Sequence, residues 1–417
     1  MSTPVQPAIL SFEEARQVVE EHAAAVEHAG HETVPLLAAF GRVLAESLVA
    51  DRDIPPFPRS TRDGYAVRST DLKVVPAKLD LIGEIKAGET SDAIPEVRSG
   101  QTAAIMTGAP VPSGADAVVM IEHTSRTGEK VQIERLVKPG ENIVPRGAEA
   151  RQGAKLVLAG ERLHQAAIAL AASVGKSRLQ VFKRPTVAVL TTGDEIVGVD
   201  AAPGPTQIRN SNSYSLAVQI EAAGGTAKIL EIAPDEAQQL RKLIEAGLQS
   251  DLLLMTGGVS MGRYDLVEQV LTEMGAEFFF TGAKIQPGRP VVFGRGRGHS
   301  SAERSSVYFF GLPGNPISTM VTFELFAKPM LEALAGQAPR KLIFLHARLK
   351  TEINTKPGLK RFLPAILSGE LEHSEVELVP WQGSGDIAAT ARADCYIVIP
   401  AEREHIAAGE WVPVLAY

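Results

Sequence analysis

The apolar positions along the chain fall into distinct patterns, and each predicts a different element. Short unbroken apolar or β-branched runs closed by glycine predict strands buried on both faces. The clearest is residues 252–256 within DLLLMTGGVSMGRYD (251–265). TVAVLTTGDE (186–195) and VYFFGLPGNPIS (307–318) repeat the design. In each, a strand runs into a loop whose glycines let the backbone turn sharply and approach a ligand. Open α/β sheets hold ligands beyond the carboxyl ends of their strands, so three such loops predict one shared pocket. Strands over 186–191, 228–232, 252–256 and 307–310 alternate with helices over 213–223, 234–249, 264–274 and 317–334. That order predicts a mainly parallel sheet. Pro234 suits the first helical position, with Asp235 and Glu236 in the first turn.

Before this region, SFEEARQVVEEHAAAVEHA (11–29) reads as a helix, with Ser11 and Glu14 forming a capping box. A second helix is expected over 36–50, ending before Pro55, Pro56 and Pro58. In RSTRDGYAV (59–67) an Asp-Gly step leads into a strand, behind a polar cluster that includes Asp63. Short strands and frequent turn signals over 79–144 predict a small barrel or sandwich. The helical pattern returns over 160–175, so the β unit reads as an insertion into a helical domain. Strand-like runs after residue 340, with a sharp Gly383-Ser384-Gly385-Asp386 turn, predict an all-β C-terminal domain. The fold class is α/β plus β.

Composition narrows the possibilities. At 417 residues the chain suits several domains, and a 45% hydrophobic content is ordinary for a globular protein. The net charge of -7 and the lack of a basic stripe argue against nucleic-acid binding. No run of about twenty apolar residues exists to span a membrane. MSTPVQPAILSFEEA lacks the basic start and apolar core of a signal peptide. The single cysteine, Cys395, rules out a disulfide within the chain and suits a reducing, cytoplasmic setting. It sits in a strand-like run and reads as a small buried hydrophobe.

The candidate chemistry gathers in the α/β region. Asp194, Glu195, Asp235 and Asp265 are carboxylates of the kind that, with substrate phosphates and water, hold Mg²⁺. Glycine-rich loops at helix starts offer N–H groups to anions. Arg289, braced between Gly288 and Pro290, presents a cation suited to an oxyanion. Walker-type and GxGxxG loops, zinc-ligand spacing and a GxSxG elbow are all missing from the sequence.

PPFPRSTRDGYAV (55–67), TTGDE (191–195), IRNSNSY (208–214), TGGVSMGRYD (256–265), QPGRP (286–290), LPGNP (312–316) and GSGD (383–386) occur in this order. Together they resemble the molybdopterin molybdenumtransferases, the MoeA and gephyrin E-domain family, over nearly the whole chain. The resemblance implies an elongated four-part subunit and a homodimer. Its parts would be a discontinuous helical domain (1–54 and 146–181), an inserted β domain (55–145), an α/β molybdopterin-binding domain (182–336) and a C-terminal β-barrel (337–417). The implied reaction inserts molybdate into adenylylated molybdopterin with Mg²⁺ and releases AMP.

Position by position, the resemblance implies roles for Asp63, Glu195, Asp235 and Asp265 in catalysis, with Glu195 and Asp265 serving the metal. Thr192, Gly193, Asn210, Asn212, Gly257, Gly258, Ser260, Gly262, Pro313 and Asn315 would hold the pterin nucleotide. Gln286, Arg289, Pro290, Ser318 and Ser384 match the positions that hold the oxyanion. The chain departs from many relatives by carrying Gln286 and Arg289 in place of lysines. Leu359 stands where the family has an arginine, which leaves Lys360 or Arg361 to substitute. A molybdopterin adenylyltransferase is disfavoured because the loop reads Gly257-Gly258-Val259-Ser260 rather than Gly-Gly-Thr-Gly. The further alternative is a gephyrin-like scaffold without turnover.

Overall fold

A computed structural model describes residues 9–258, 266–298 and 306–417. The chain forms two compact units. One comprises residues up to 45, 160–164 and 179–417; the other comprises 46–159 and 165–178.

The smaller unit is built on a six-stranded sheet. Its strands are β1 (Gly64–Val67), β2 (Ala77–Ile85), β3 (Gln101–Ile105), β4 (Ala117–Met120), β5 (Thr124–Thr127) and β6 (Lys130–Ile133), in the spatial order β4-β1-β3-β2-β6-β5. Tyr65 and Val67 point into one core cluster and Ala66 into another, so both faces of β1 are covered. Gly64 is obligatory there, because a Cβ would come within 1.9 Å of the Val119 carbonyl oxygen.

The larger unit centres on a second six-stranded sheet, made of β7 (Thr186–Thr191), β8 (Thr226–Ile229), β9 (Leu252–Thr256), β10 (Glu277–Phe280), β11 (Val292–Arg297) and β12 (Ser306–Leu312). The order is β8-β7-β9-β12-β11-β10. The first four strands are parallel; β11 and β10 add antiparallel at one edge. The unbroken apolar runs have a simple cause. Val187, Val189, Leu252 and Leu254 pack on one side, while Ala188, Leu190, Leu253 and Met255 pack on the other.

Helices cover both faces. On the first lie α1 (Phe12–Ala24), α3 (Asn212–Ala223) and a long helical run composed of α6 (Pro316–Thr322), a π turn (Phe323–Ala327) and α7 (Lys328–Leu334). On the second lie α4 (Ala237–Gly247) and α5 (Leu266–Glu273). Ser11 and Glu14 form the expected capping box on α1. Pro329 lacks an N–H for the Leu325 carbonyl, and Arg16 on α1 donates to that oxygen instead, at 2.6 Å. α2 (Gln165–Ser173) belongs to the smaller unit.

Residues after 344 supply β13 (Leu345–Leu349), β14 (Lys360–Ser368), β15 (Glu375–Leu378), β16 (Cys395–Ile399) and β17 (Trp411–Ala416). Pairing of β14 with both β15 and β16 closes these five strands into a barrel. Leu363, Ala365, Ile397, Ile399 and Val412 fill it. Cys395 is fully buried and donates to the Ala365 carbonyl; burial pushes its thiol pKa up to about 12.

Several sequence expectations fail locally. Residues 36–50 are not a helix: Leu36–Ala39 makes one 3₁₀ turn, and Gly41 then takes φ +72°. Val43 and Leu44 bridge to Arg162 and Val181, so long-range pairing displaces a weak local preference. α4 starts at Ala237, and Pro234 precedes it instead of opening it. The strand expected at 228–232 is shifted to Thr226–Ile229 by its register with β7.

Candidate active site

The ends of β7, β9 and β12 form the floor of a cleft of about 490 Å³. β7 and β9 are in parallel register from Val187 with Leu252 to Thr191 with Thr256, and Thr256 in turn pairs with Leu312. Three strands therefore end level, and the loops that follow them meet. This is the geometric reason that the glycine-rich loops share one pocket.

Thr192, Glu195, Asn210, Asn212, Gly257, Gly258, Pro290, Pro313 and Asn315 line the cleft. Gly257 has φ +86°, and a Cβ there would approach the Thr192 carbonyl to 2.3 Å, so only glycine fits. Thr191, Asn210 and Ser213 bond to one another, with Asn210 Nδ2 donating to Ser213 Oγ at 2.9 Å and the Ser213 N–H to Asn210 Oδ1 at 3.1 Å. Asn212 Nδ2 donates to Thr256 Oγ1 at 2.9 Å and to the Gly314 carbonyl at 2.7 Å.

Two atoms stand apart from this network. Thr192 Oγ1 and Asn212 Oδ1 are fully buried and have no hydrogen-bond partner among the described residues. Leaving a buried polar atom unpaired costs about 1–3 kcal/mol. Both lie on residues lining the cleft.

A second cleft, of about 480 Å³, adjoins the first and shares Pro290, Pro313 and Asn315 with it. It is lined by Gln286, Arg289, Ser318 and Ser384, together with Leu359 and Trp381. Asn315 Nδ2 donates to Ser384 Oγ at 2.9 Å, and the Ile317 N–H donates to the Ser384 carbonyl at 3.1 Å. These bonds tie the loop after β12 to the turn after β15. Arg289 is the one charged residue lining this cleft among those described.

Three of the expected site residues that the structure describes fall outside both linings. Gly193 sits beside the first cleft, its N–H donating to the Ala233 carbonyl at 3.2 Å. The Asp235 N–H donates to the Asp194 carboxylate at 3.1 Å, and the residue is exposed. Burial raises the Asp235 pKa, and the charges of Asp194 and Glu195 raise it further. Asp63 belongs to the smaller unit, where its carboxylate brackets a turn by accepting from the Thr107 N–H at 2.7 Å and hydroxyl at 2.8 Å. The backbone bond, then the hydroxyl, holds its pKa below the usual carboxylate range. Ser260, Gly262 and Asp265 lie outside the described residues.

Among the described residues, no three His, Cys, Asp or Glu side chains group to hold a metal. Glu195 is the carboxylate on the first cleft's wall. Mg²⁺ needs only one or two carboxylates when water and substrate phosphates complete its shell. The residues present fit that mode, and the clustered charges around Asp235 favour a cation. The sequence reading did not single out Thr256, Ser213 and Gly314, nor Arg209, whose Nε donates to the Ala201 carbonyl at 3.0 Å. IRNSNSY held the signal for Arg209 and Ser213, and TGGVSMGRYD and LPGNP held it for Thr256 and Gly314.

Known proteins bear on the same constellation. MoeA N-terminal region (domain I and II) matches residues 10–175, a probable molybdopterin binding domain matches 188–333, and MoeA C-terminal region (domain IV) matches 346–417. Molybdopterin molybdenumtransferase of Nostoc sp. is 32% identical over 92% of this chain and 88% of its own. The enzyme of that name from Bacillus subtilis is 32% identical over 92% of this chain and 89% of its own. A crystal structure of a molybdopterin biosynthesis MoeA protein from Pyrococcus horikoshii superposes with a TM-score of 0.77 at 27% identity, covering 98% of this chain and 100% of that one. The chain belongs to the molybdopterin molybdenumtransferase family, the MoeA family.

Proposed function

We propose that the two adjoining clefts work as one site for the molybdenum-insertion step of molybdenum cofactor biosynthesis. Adenylylated molybdopterin and molybdate enter; molybdenum cofactor and AMP leave. The observation that carries this reading is the shared wall of Pro290, Pro313 and Asn315 between chemically different clefts.

The first cleft takes the pterin nucleotide. Asn212 Oδ1 and Thr192 Oγ1 accept from its N–H and O–H groups, and Gly257 lets the backbone come close. The second cleft takes the oxyanion, with Arg289 as a planar fork donating to two oxygens, assisted by Gln286, Ser318 and Ser384. Glu195 and Asp265 would hold Mg²⁺, which would supply Lewis-acid polarisation of the phosphoanhydride. Asp235 stands behind Glu195 and tunes its charge. In a homodimer, Asp63 of the partner subunit closes the site. The four-part domain division and a cytoplasmic location complete the proposal. Among the described residues no helix is long and apolar enough to cross a membrane.

AMP release from adenylylated molybdopterin, with and without molybdate and Mg²⁺, tests the reading. Release that requires both is expected. Release independent of molybdate, or binding without release under every condition, overturns it.

A further inference from the structure

Two acids follow Gly193 in TTGDE, and the structure gives them different work. Asp194 does not line the first cleft; its carboxylate accepts from the Asp235 N–H at 3.1 Å. Glu195 is exposed and lines that cleft. Gly193 is buried and outside the lining. A ligand in the cleft therefore meets Glu195 and not the glycine.

The two residues touch each other. A Cβ built on Gly193 would come within 2.6 Å of Glu195 Oε2 and 2.9 Å of both Oε1 and Cδ. The whole carboxylate lies against the bare Cα, in space that any other residue's side chain would fill. Those separations are closer than non-bonded atoms can settle, so a side chain at 193 and the carboxylate must part.

The glycine is the partner that cannot yield. Its N–H donates to the Ala233 carbonyl at 3.2 Å, and its carbonyl accepts from the Ile196 N–H at 3.1 Å. On one side, Thr192 bridges to Ala233, and its N–H donates to the Thr256 carbonyl at 3.0 Å. On the other, Ile196 opens a short parallel ladder opposite Ile208. The backbone is held from both ends, whereas the carboxylate sits at the end of a rotatable side chain. A φ of +133° at Gly193 separately favours glycine.

Resting on the reading of Glu195 as a Mg²⁺ ligand, we propose that Gly193 is a positioning residue, whose missing side chain seats the carboxylate that Glu195 presents to the metal. On this assignment Gly193 serves the metal through Glu195 and does not touch the nucleotide.

The test uses the full-length chain with adenylylated molybdopterin bound and molybdate withheld, and reads the Mg²⁺ dissociation constant by calorimetry. Gly193→Ala is expected to weaken Mg²⁺ binding roughly 10- to 100-fold, the usual cost of disturbing what orients a metal ligand. Affinity for adenylylated molybdopterin without Mg²⁺ stays within about twofold, the scatter of uncoupled sites. Glu195→Gln keeps the shape, removes the charge and weakens Mg²⁺ by itself. Adding Gly193→Ala to it shifts the Mg²⁺ constant by no more than about twofold, because no carboxylate is left to position. Gly193→Asn carries the test if the Ala variant does not fold, since Asn tolerates positive φ better. Unchanged Mg²⁺ affinity in the folded glycine variant overturns the proposal. So does a loss that adds in full to that of Glu195→Gln, or an equal loss of nucleotide affinity without Mg²⁺. A wild-type Mg²⁺ constant in Glu195→Gln is a different outcome, because it removes the metal reading beneath the proposal.

Discussion

The two clefts are neighbours built on different principles. The first is a fixed network: Thr191, Asn210, Ser213, Asn212 and Thr256 hold one another, and two acceptors are left over. The second has few internal bonds and exposes Gln286 and Arg289 on a rigid Pro-Gly-Arg-Pro turn. A network of neutral donors and acceptors reads the edges of a heterocycle. A sparse cationic pocket takes a compact anion, whose hydrogen bonds are less particular about angle. The difference teaches that hydrogen-bonding order and charge are separable within one site, and substitutions can separate them.

The strongest break is expected at Gly257. Gly257→Ala forces a Cβ toward the Thr192 carbonyl at 2.3 Å in a φ +86° backbone. Such strain costs about 1–3 kcal/mol and misplaces the loop. Adenylyl-molybdopterin binding by calorimetry should fall more than tenfold, roughly the lower half of that cost, while the molybdate dissociation constant holds. Loss of both would mean that the clefts are one folding element. Asn212→Ala should act more mildly. It removes the waiting acceptor and two donors, for roughly a tenfold loss of nucleotide affinity. An accompanying change in molybdate KM would contradict the separation.

The smallest effect belongs to the acidic corner. Asp235 has a folded pKa raised above its unfolded value, so its stabilising share is present below about pH 4 and is lost as pH rises. Asp235→Asn should therefore raise the melting temperature slightly at pH 7 and not at pH 3.5. Mg²⁺ with nucleotide bound should shrink that gain by neutralising the same corner. A gain independent of pH would assign the effect to packing.

Much of this was legible in the sequence because it is local. Apolar runs such as LLLMT close on glycine, and the sheet ends where the glycines begin. Asn210 and Asn212 sit in a polar string, and Asn315 in a Pro-Gly-Asn-Pro turn. Non-local features were not legible. β14, KRFLPAILS, mixes two cations and a proline and does not read as a strand, yet barrel closure makes it the most extensively paired strand of its sheet. Residues 36–50 misled because Leu, Ala and Arg favour helix in isolation, whereas Val43 and Leu44 are claimed by distant strands.

The shared wall of Pro290, Pro313 and Asn315 has a kinetic consequence. On the proposed reading, two reactants bound in adjoining clefts would no longer need to meet by diffusion. Their encounter becomes intramolecular, where effective concentrations on the order of 10⁵–10⁸ M are reachable for well-aligned groups. Scarce molybdate then limits how often the second cleft is filled, and not how fast the chemistry runs once it is. Two prolines in that partition hold the spacing, since their fixed φ leaves the wall little freedom to give way.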